Sequence, residues 1–113
     1  MPDKKGTGML MVWCDVPVDR EDEFNRWYNE EHIEEILGVP GVLDAARYEA
    51  VHNGPKHLAC YELANPAAVL GDGFTKRAKS KWSETMGPTL IGENFFNPLY
   101  EMIYPYALTD EIA

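Results

Sequence analysis

Residues 26 to 48, RWYNEEHIEEILGVPGVLDAARY, bring Trp27, Tyr28, His32, Arg47 and Tyr48 into one helix-to-strand unit, and His32 is the side chain there best suited to moving a proton. Phe24, Tyr28, His32 and Ile36 recur at i, i+4 spacing, so a helix places the imidazole in the row that should face the core. Such a histidine is either a core residue bonded to a neighbour or a general acid/base on the wall of a small-molecule site. Its aromatic and cationic company favours the second. Glu30, Glu31, Glu34 and Glu35 favour the protonated ring while burial favours the neutral one, and the sequence leaves that balance open.

Arg47 is the one cation of a predicted strand, where a guanidinium needs a carboxylate from the protein or from a ligand; Glu49, Glu62 and Glu101 are candidates, and an internal ion pair is set slightly ahead of substrate anchoring. Tyr48 and Tyr61 are candidate hydrogen-bond donors to a carbonyl or enolate oxygen, with core packing as the alternative. Trp27, Tyr28, Trp82, Phe95 and Phe96 are candidate substrate contacts, the indoles and phenyls forming an aromatic slot for a planar ligand or else packing in the core. No metal site is expected. Glu31/Glu35 and Glu30/Glu34 have i, i+4 spacing but lack an HExxH pattern or a Cys–His cluster, and no glycine-rich phosphate loop precedes a helix. The working expectation is therefore a site without a cofactor.

These residues need a scaffold. Residues 8 to 16, GMLMVWCDV, form a short apolar run closed by Pro17 and predict a strand buried on both faces. Asp19 offers an N-cap, Glu21, Asp22 and Glu23 suit a first turn, and a helix should run to Leu37 before Gly38. Residues 42 to 51 alternate as a second strand, Asn53-Gly54-Pro55 mark a hairpin, and residues 57 to 63 form a third strand. Asn65-Pro66 should cap a second helix with the row Leu70, Phe74, Ala78, Trp82 and Met86, weakened at Gly71 and Gly73 and ended by Gly87-Pro88. The loop from 89 to 98 carries Leu90, Ile91, Phe95 and Phe96 and should fold over something. Residues 99 to 104 complete the strands, and the tail after Pro105 is a candidate docking arm.

The order βαββαβ predicts one α+β domain over residues 1–113: a ferredoxin-like, antiparallel four-stranded sheet with two helices on one face. Met9 to Trp13 are apolar without interruption, so the other face should also be covered. With no chain left for another layer, a second copy packed sheet to sheet is the economical cover, and a homodimer is expected.

A length of 113 residues supports one domain, and 45% apolar with 12% aromatic residues describes an ordered globular chain. A net charge of −9 argues against nucleic acid or an anionic membrane as partner. Residues 19 to 35 hold eight acids against Arg20 and Arg26, whereas residues 66 to 86 hold Lys76, Arg77, Lys79 and Lys81 against Asp72 and Glu84. If those segments pack side by side they attract; otherwise they are separately solvated faces. The polar start MPDKKGTG lacks an apolar leader, and Cys14 and Cys60 lack metal-ligand spacing, so a cytoplasmic protein with buried thiols is expected.

The strand ending VWCDVP, the helix DEFNRWYNEEHI, the turn VPGV, the strand AARYEAV and the segment GPKHLACYEL together resemble the dimeric α/β-barrel superfamily, in particular its EthD-like branch, over nearly the whole chain. The resemblance maps the family's helix histidine on His32 and its strand RY pair on Arg47 and Tyr48. Relatives often continue with a proline soon after that histidine; here Ile33, Glu34 and Glu35 follow. The fold so implied hosts lactone isomerases, polyketide cyclases, lyases and cofactor-free oxygenases. The expectation is a cofactor-independent lyase, isomerase or cyclase acting on a small hydrophobic or aromatic compound in aromatic or xenobiotic catabolism, with His32 as general acid/base. Alternatives are a non-catalytic small-molecule-binding dimer, or a monooxygenase that is cofactor-free or assisted by haem on His32, His52 or His57.

Overall fold

The structure is a computed structural model, and it describes residues 6–77, 79–90 and 93–104. Ala78 of the predicted helical row and the tail after Pro105 lie outside the described residues.

Strand β1 (Gly8–Asp15) alternates strictly between buried and half-buried positions. Leu10, Val12 and Cys14 point into the core while Met9, Met11 and Trp13 point to the opposite face, so the strand is covered on one side only within the chain. A helical run follows without a break: a 3-10 turn (Val18–Arg20), α1 (Glu21–Trp27), a wide π turn (Tyr28–His32) and α2 (Ile33–Leu37). The expected Asp19 N-cap is not used. The run begins two residues earlier, at Val18 straight after Pro17, and has no side-chain cap. Phe24, Tyr28, His32 and Ile36 are all buried, as the i, i+4 row requires.

Strands β2 (Val42–Glu49) and β3 (His57–Leu63) form the expected hairpin, and Asn53 and Gly54 both take positive φ in the connection. Asn65 Oδ1 accepts from the Ala67 N–H at 2.9 Å and Pro66 opens a 3-10 turn (Pro66–Val69), so the cap is where the sequence put it. The helix behind it is split. The 3-10 turn is followed by α3 (Asp72–Thr75) and, after a further break, by α4 (Lys81–Leu90), which carries Pro88 inside it rather than ending at Gly87. Gly71 and Gly73 weaken the early turns, and Leu70 is exposed rather than part of an inward row.

The expected last strand is also divided, into β4 (Glu93–Phe96) and β5 (Leu99–Glu101). Both pair antiparallel with β1, β4 near Trp13 and Asp15 and β5 near Gly8 to Leu10, so the loop predicted for residues 89 to 98 contributes an edge segment. The sheet order is β2-β3-β1 with β4 and β5 sharing the outer edge. The helices cover one face, and the core between them and the sheet is built on Leu10, Val12, Phe24, Trp27, Tyr28, Ile36, Tyr61, Leu63 and Met86. No helix of the described residues is long and apolar enough to cross a membrane. Cys14 and Cys60 are free thiols, Cys14 buried and Cys60 half-buried, on opposite faces of the sheet.

The acidic and basic segments do pack together, though not through Lys–Glu or Arg–Glu pairs among the described residues. The Trp82 indole donates to Glu23 at 3.2 Å, the Ser80 hydroxyl donates to Glu31 at 2.6 Å, and Arg26 lies 5.6 Å from the Trp82 ring centre. Across this seam neutral donors meet Glu23 and Glu31.

Candidate functional site

Between the helices and the covered sheet face lies a cavity of about 220 Å³. The sheet contributes Leu10, Val12, Tyr61 and Phe95, the first helical run Trp27, His32, Glu35 and Ile36, and the later segment Phe74, Arg77, Lys79, Ser83 and Gly87, with Asn97 at the edge strand.

His32 owes its place to the π turn. On an α-helix residues five apart differ by about 140° in direction, so Trp27 and His32 would not meet. Here the Ile33 N–H reaches back to the Tyr28 carbonyl, the i→i+5 bond of a widened turn, and residues five apart come nearly into line. The rings of Trp27 and His32 stack at 4.3 Å between centroids and 22° between planes, and Tyr28 meets His32 edge-on at 4.8 Å. The histidine is 8% exposed.

A polar chain holds the far side of the imidazole. The Trp27 indole N–H donates to Ser83 Oγ at 2.8 Å, the Ser83 hydroxyl donates to Glu35 Oε1 at 2.5 Å, and His32 Nδ1 lies 3.4 Å from that same oxygen. The Ser80 N–H donates to Glu35 Oε2 at 2.9 Å. Burial alone would push the Glu35 carboxyl up, but the Ser83 hydroxyl, the Ser80 amide and His32 outweigh it and hold it below the usual carboxylate value. An ionised Glu35 orients His32 with Nδ1–H toward the carboxylate and leaves Nε2 as the basic nitrogen.

Burial lowers the His32 pKa to about 4, against the raising effect of Glu35 and with a small further push from Arg77 and Lys79. The ring is therefore neutral at pH 7, and burial decides the balance that the sequence left open. Because the folded pKa lies below the ordinary value near 6.5, the unfolded chain takes up the proton first as pH falls. The stability is fully present above pH 6.5 and is lost on descent toward pH 4, by about 3 kcal/mol for such a buried histidine. Urea midpoints should fall across that window in the native protein and stay nearly level in His32→Phe. Glu21 and Glu35, whose pKa values are lowered, add their own loss only below about pH 4.5. An equal slope in both proteins would show that His32 does not carry the effect.

Tyr61 also lines the cavity, its hydroxyl 3.3 Å from that of Tyr28. Burial pushes the Tyr61 phenol up to about 12 and that of Tyr28 well above the ordinary value, so both remain neutral donors at any working pH. Behind them Arg47 donates to Asn29 (2.8 Å), Asn25 (2.9 Å) and His57 Nδ1 (3.2 Å), with its guanidinium 4.7 Å from the Tyr28 ring centre. His57 Nε2 lies 2.8 Å from Glu21. Since Arg47 only donates, His57 Nδ1 accepts and its Nε2–H donates to Glu21. Among the described residues no three His, Cys, Asp or Glu side chains come together as a metal-ligand group.

No family model matches the sequence, and neither does any curated protein. Solved structures do match in shape. A dimeric ferredoxin-like protein from an uncultured marine organism superposes with a TM-score of 0.65 at 10% identity, over 90% of this chain and 92% of that one. A monooxygenase of Streptomyces coelicolor in complex with nanaomycin D gives 0.62 at 16% identity, over 89% and 94%. An EthD family protein of Bacillus halodurans gives 0.55 at 12% identity, over 86% and 99%. The chain has a ferredoxin-like fold.

Within this ferredoxin-like frame the expected site residues separate. His32, Tyr61, Trp27 and Phe95 meet at the cavity. Tyr28 supports His32 and Tyr61 from behind. Tyr48 does not join them: it is 58% exposed on the opposite face of the sheet, as is Phe96 at 53%. Adjacent strand residues point to opposite sides, so Arg47 and Tyr48, or Phe95 and Phe96, have no way to share one pocket. Trp82 is half-buried against Glu23 and Arg26, outside the cavity wall. Arg47 neither meets Glu49, Glu62 or Glu101 in an ion pair nor reaches the cavity, because the two asparagines and His57 occupy it.

Of the polar residues at the cavity, Ser83 is not named from the sequence, and Glu35 and Arg77 are named there only within charge clusters. Ser80 and Ser83 frame the start of α4, with the Ser83 N–H donating to Ser80 Oγ at 3.0 Å. A serine ahead of KWSE is an N-cap signal, legible once the second helix is recognised as two.

Proposed function

We propose that this protein binds a small, largely apolar molecule in the 220 Å³ cavity and processes it by proton transfer, with neutral His32 as the base. The observation that carries the reading is the Trp27–Ser83–Glu35–His32 chain, which ends on an imidazole at the wall of a largely apolar chamber. His32 Nε2 takes a proton from a carbon beside a carbonyl, the electron pair moves onto the carbonyl oxygen, and the Tyr61 hydroxyl turns from its long 3.3 Å bond to Tyr28 to donate to the resulting enolate. Glu35 stabilises the imidazolium that forms. Burial keeps the resting ring weakly basic, and the enolate created beside it supplies the negative charge that holds the transferred proton. Return of the proton to a different atom completes an isomerisation, and expulsion of a leaving group completes a lyase reaction.

A direct test follows proton exchange in heavy water. Cyclohexanone, 2-tetralone and a five-membered unsaturated lactone serve as enolisable probes, with deuterium incorporation read by NMR. The native protein should accelerate exchange at the carbon next to the carbonyl for at least one probe, and His32→Ala should not. Binding without accelerated exchange would favour a carrier.

A second reading, cofactor-free oxygenation, draws on the likeness to the Streptomyces coelicolor monooxygenase. It opens with the same deprotonation and is distinguished by uptake of oxygen. The cavity beside His32 is too small for haem, since 220 Å³ accommodates about one ring with substituents and not a tetrapyrrole, and both nitrogens of His57 are engaged.

The reading includes a homodimer. Trp13, Tyr48, Phe96 and Tyr100 lie on the face left uncovered within the chain, and the last three are 58%, 53% and 45% exposed. Large apolar surfaces of this kind are rarely left to water, and the marine relative is described as dimeric. Native protein should sediment at twice the chain mass and Tyr48→Glu at the chain mass. A monomeric native protein would remove the dimer while leaving the cavity reading intact.

A further inference from the structure

The cavity is apolar on most of its wall yet carries an excess of positive charge, Arg77 and Lys79 against Glu35 alone. That is opposite in sign to a chain whose formal net charge is −9. The one carboxylate is already occupied, accepting from Ser80 and Ser83 and facing His32.

Arg77 is not occupied in the same way. One terminal nitrogen donates to the Phe74 carbonyl at 2.8 Å, and the guanidinium lies 4.3 Å from the Phe74 ring centre. Its Nε is buried without a hydrogen-bond partner, and among the described residues no carboxylate lies within 4.0 Å of it. The buried Nε shows that the chain leaves this charged group under-satisfied, and the second terminal nitrogen, which makes no hydrogen bond among the described residues and is not closed off in the same way, is the donor a partner in the cavity reaches. Planar guanidinium donors match the two oxygens of a carboxylate. Benzene fits a cavity of about 150 Å³, so 220 Å³ leaves room for one ring with a short substituent.

We propose that the cavity selects an apolar, ring-sized molecule bearing a carboxylate, and that Arg77 is the residue that anchors that carboxylate. This rests on the reading that the cavity is where substrate binds. The ring lies against Leu10, Val12, Ile36 and Phe95, and the carboxylate turns toward the later segment.

The test uses the full chain with benzoate and phenylacetate as anionic probes and benzamide and phenylacetamide as neutral counterparts of the same shape. Calorimetry gives affinity, and the Trp27 indole N–H resonance reports whether the cavity is the place of binding. Each acid should bind at least about ten-fold tighter than its amide, as a charge-assisted bond requires. Arg77→Gln should bring acid and amide level while keeping the amide affinity, and Arg77→Lys should restore part of the preference. Equal binding of acid and amide by the native protein overturns the anchor but leaves the cavity reading standing. So does a preference that survives Arg77→Gln, or one that vanishes only in Lys79→Gln. If neither acid nor amide moves the Trp27 resonance, both readings fall.

Discussion

His32→Ala should slow proton exchange in an enolisable ligand by about 10²- to 10⁴-fold, the usual contribution of a positioned general base. The replacement removes the basic nitrogen and also the partner of Glu35, whose carboxylate keeps the Ser80 and Ser83 donors and so stays satisfied. The fold should survive, with the cost limited to the lost stack on Trp27 and the cavity left behind. His32→Gln offers a stricter comparison: it fills more of the space and can still donate to Glu35, but it does not take up a proton near neutrality. Loss of exchange in both variants, with ligand affinity retained, assigns the chemistry to the ring itself. Exchange undiminished in His32→Gln would remove His32 from the mechanism, whatever its effect on stability.

Trp27→Ala should cost about 3–5 kcal/mol, the range for deleting a fully buried large aromatic side chain. The indole is 1% exposed, touches Phe24, Tyr28 and His32, and donates to Ser83. A single domain carries about 5–15 kcal/mol in total, so the variant should be marginal at 25 °C with a much lower urea midpoint. Trp27→Phe keeps most of the packing and loses the Ser83 bond, costing about 1–2 kcal/mol. That smaller change isolates the polar chain: Ser83 then holds Glu35 without being held by Trp27. A loss below about 1 kcal/mol for Trp27→Ala would mean that the core closes over the gap, a collapse the surrounding rings do not favour.

Much of the scaffold was legible because burial imposes simple periods. The range of β3 and the cap at Asn65-Pro66 follow from alternation and from proline's missing donor, and the inward row of Phe24, Tyr28, His32 and Ile36 follows from helical spacing. The stack of Trp27 on His32 was not legible. It depends on a π turn, which local residue preferences do not specify and which packing against α4 accompanies. Two misassignments were avoidable. Tyr48 beside Arg47 and Phe96 beside Phe95 could not serve one pocket on any pleated strand, so the period that identified the strands also forbade those pairs. Arg77 escaped notice for a different reason: in sequence it is one of four close cations, and only burial distinguishes a guanidinium at a cavity wall from solvated lysines. The break after α3 hid Ser83 in the same way, because a single long helix would have needed no second cap.

The outer edge of the sheet is assembled from two short pieces, with Asn97 and Pro98 between them. Pro98 presents a carbonyl to the Met11 N–H at 3.0 Å but has no amide hydrogen of its own to offer a newcomer. An intruding strand would find the ladder interrupted midway, with neither fragment long enough to template a fibre. The same hyphenated border that completes the chamber wall through Phe95 thus protects that side of the sheet from growing sideways, and leaves β2 as the one continuous rim of the described sheet.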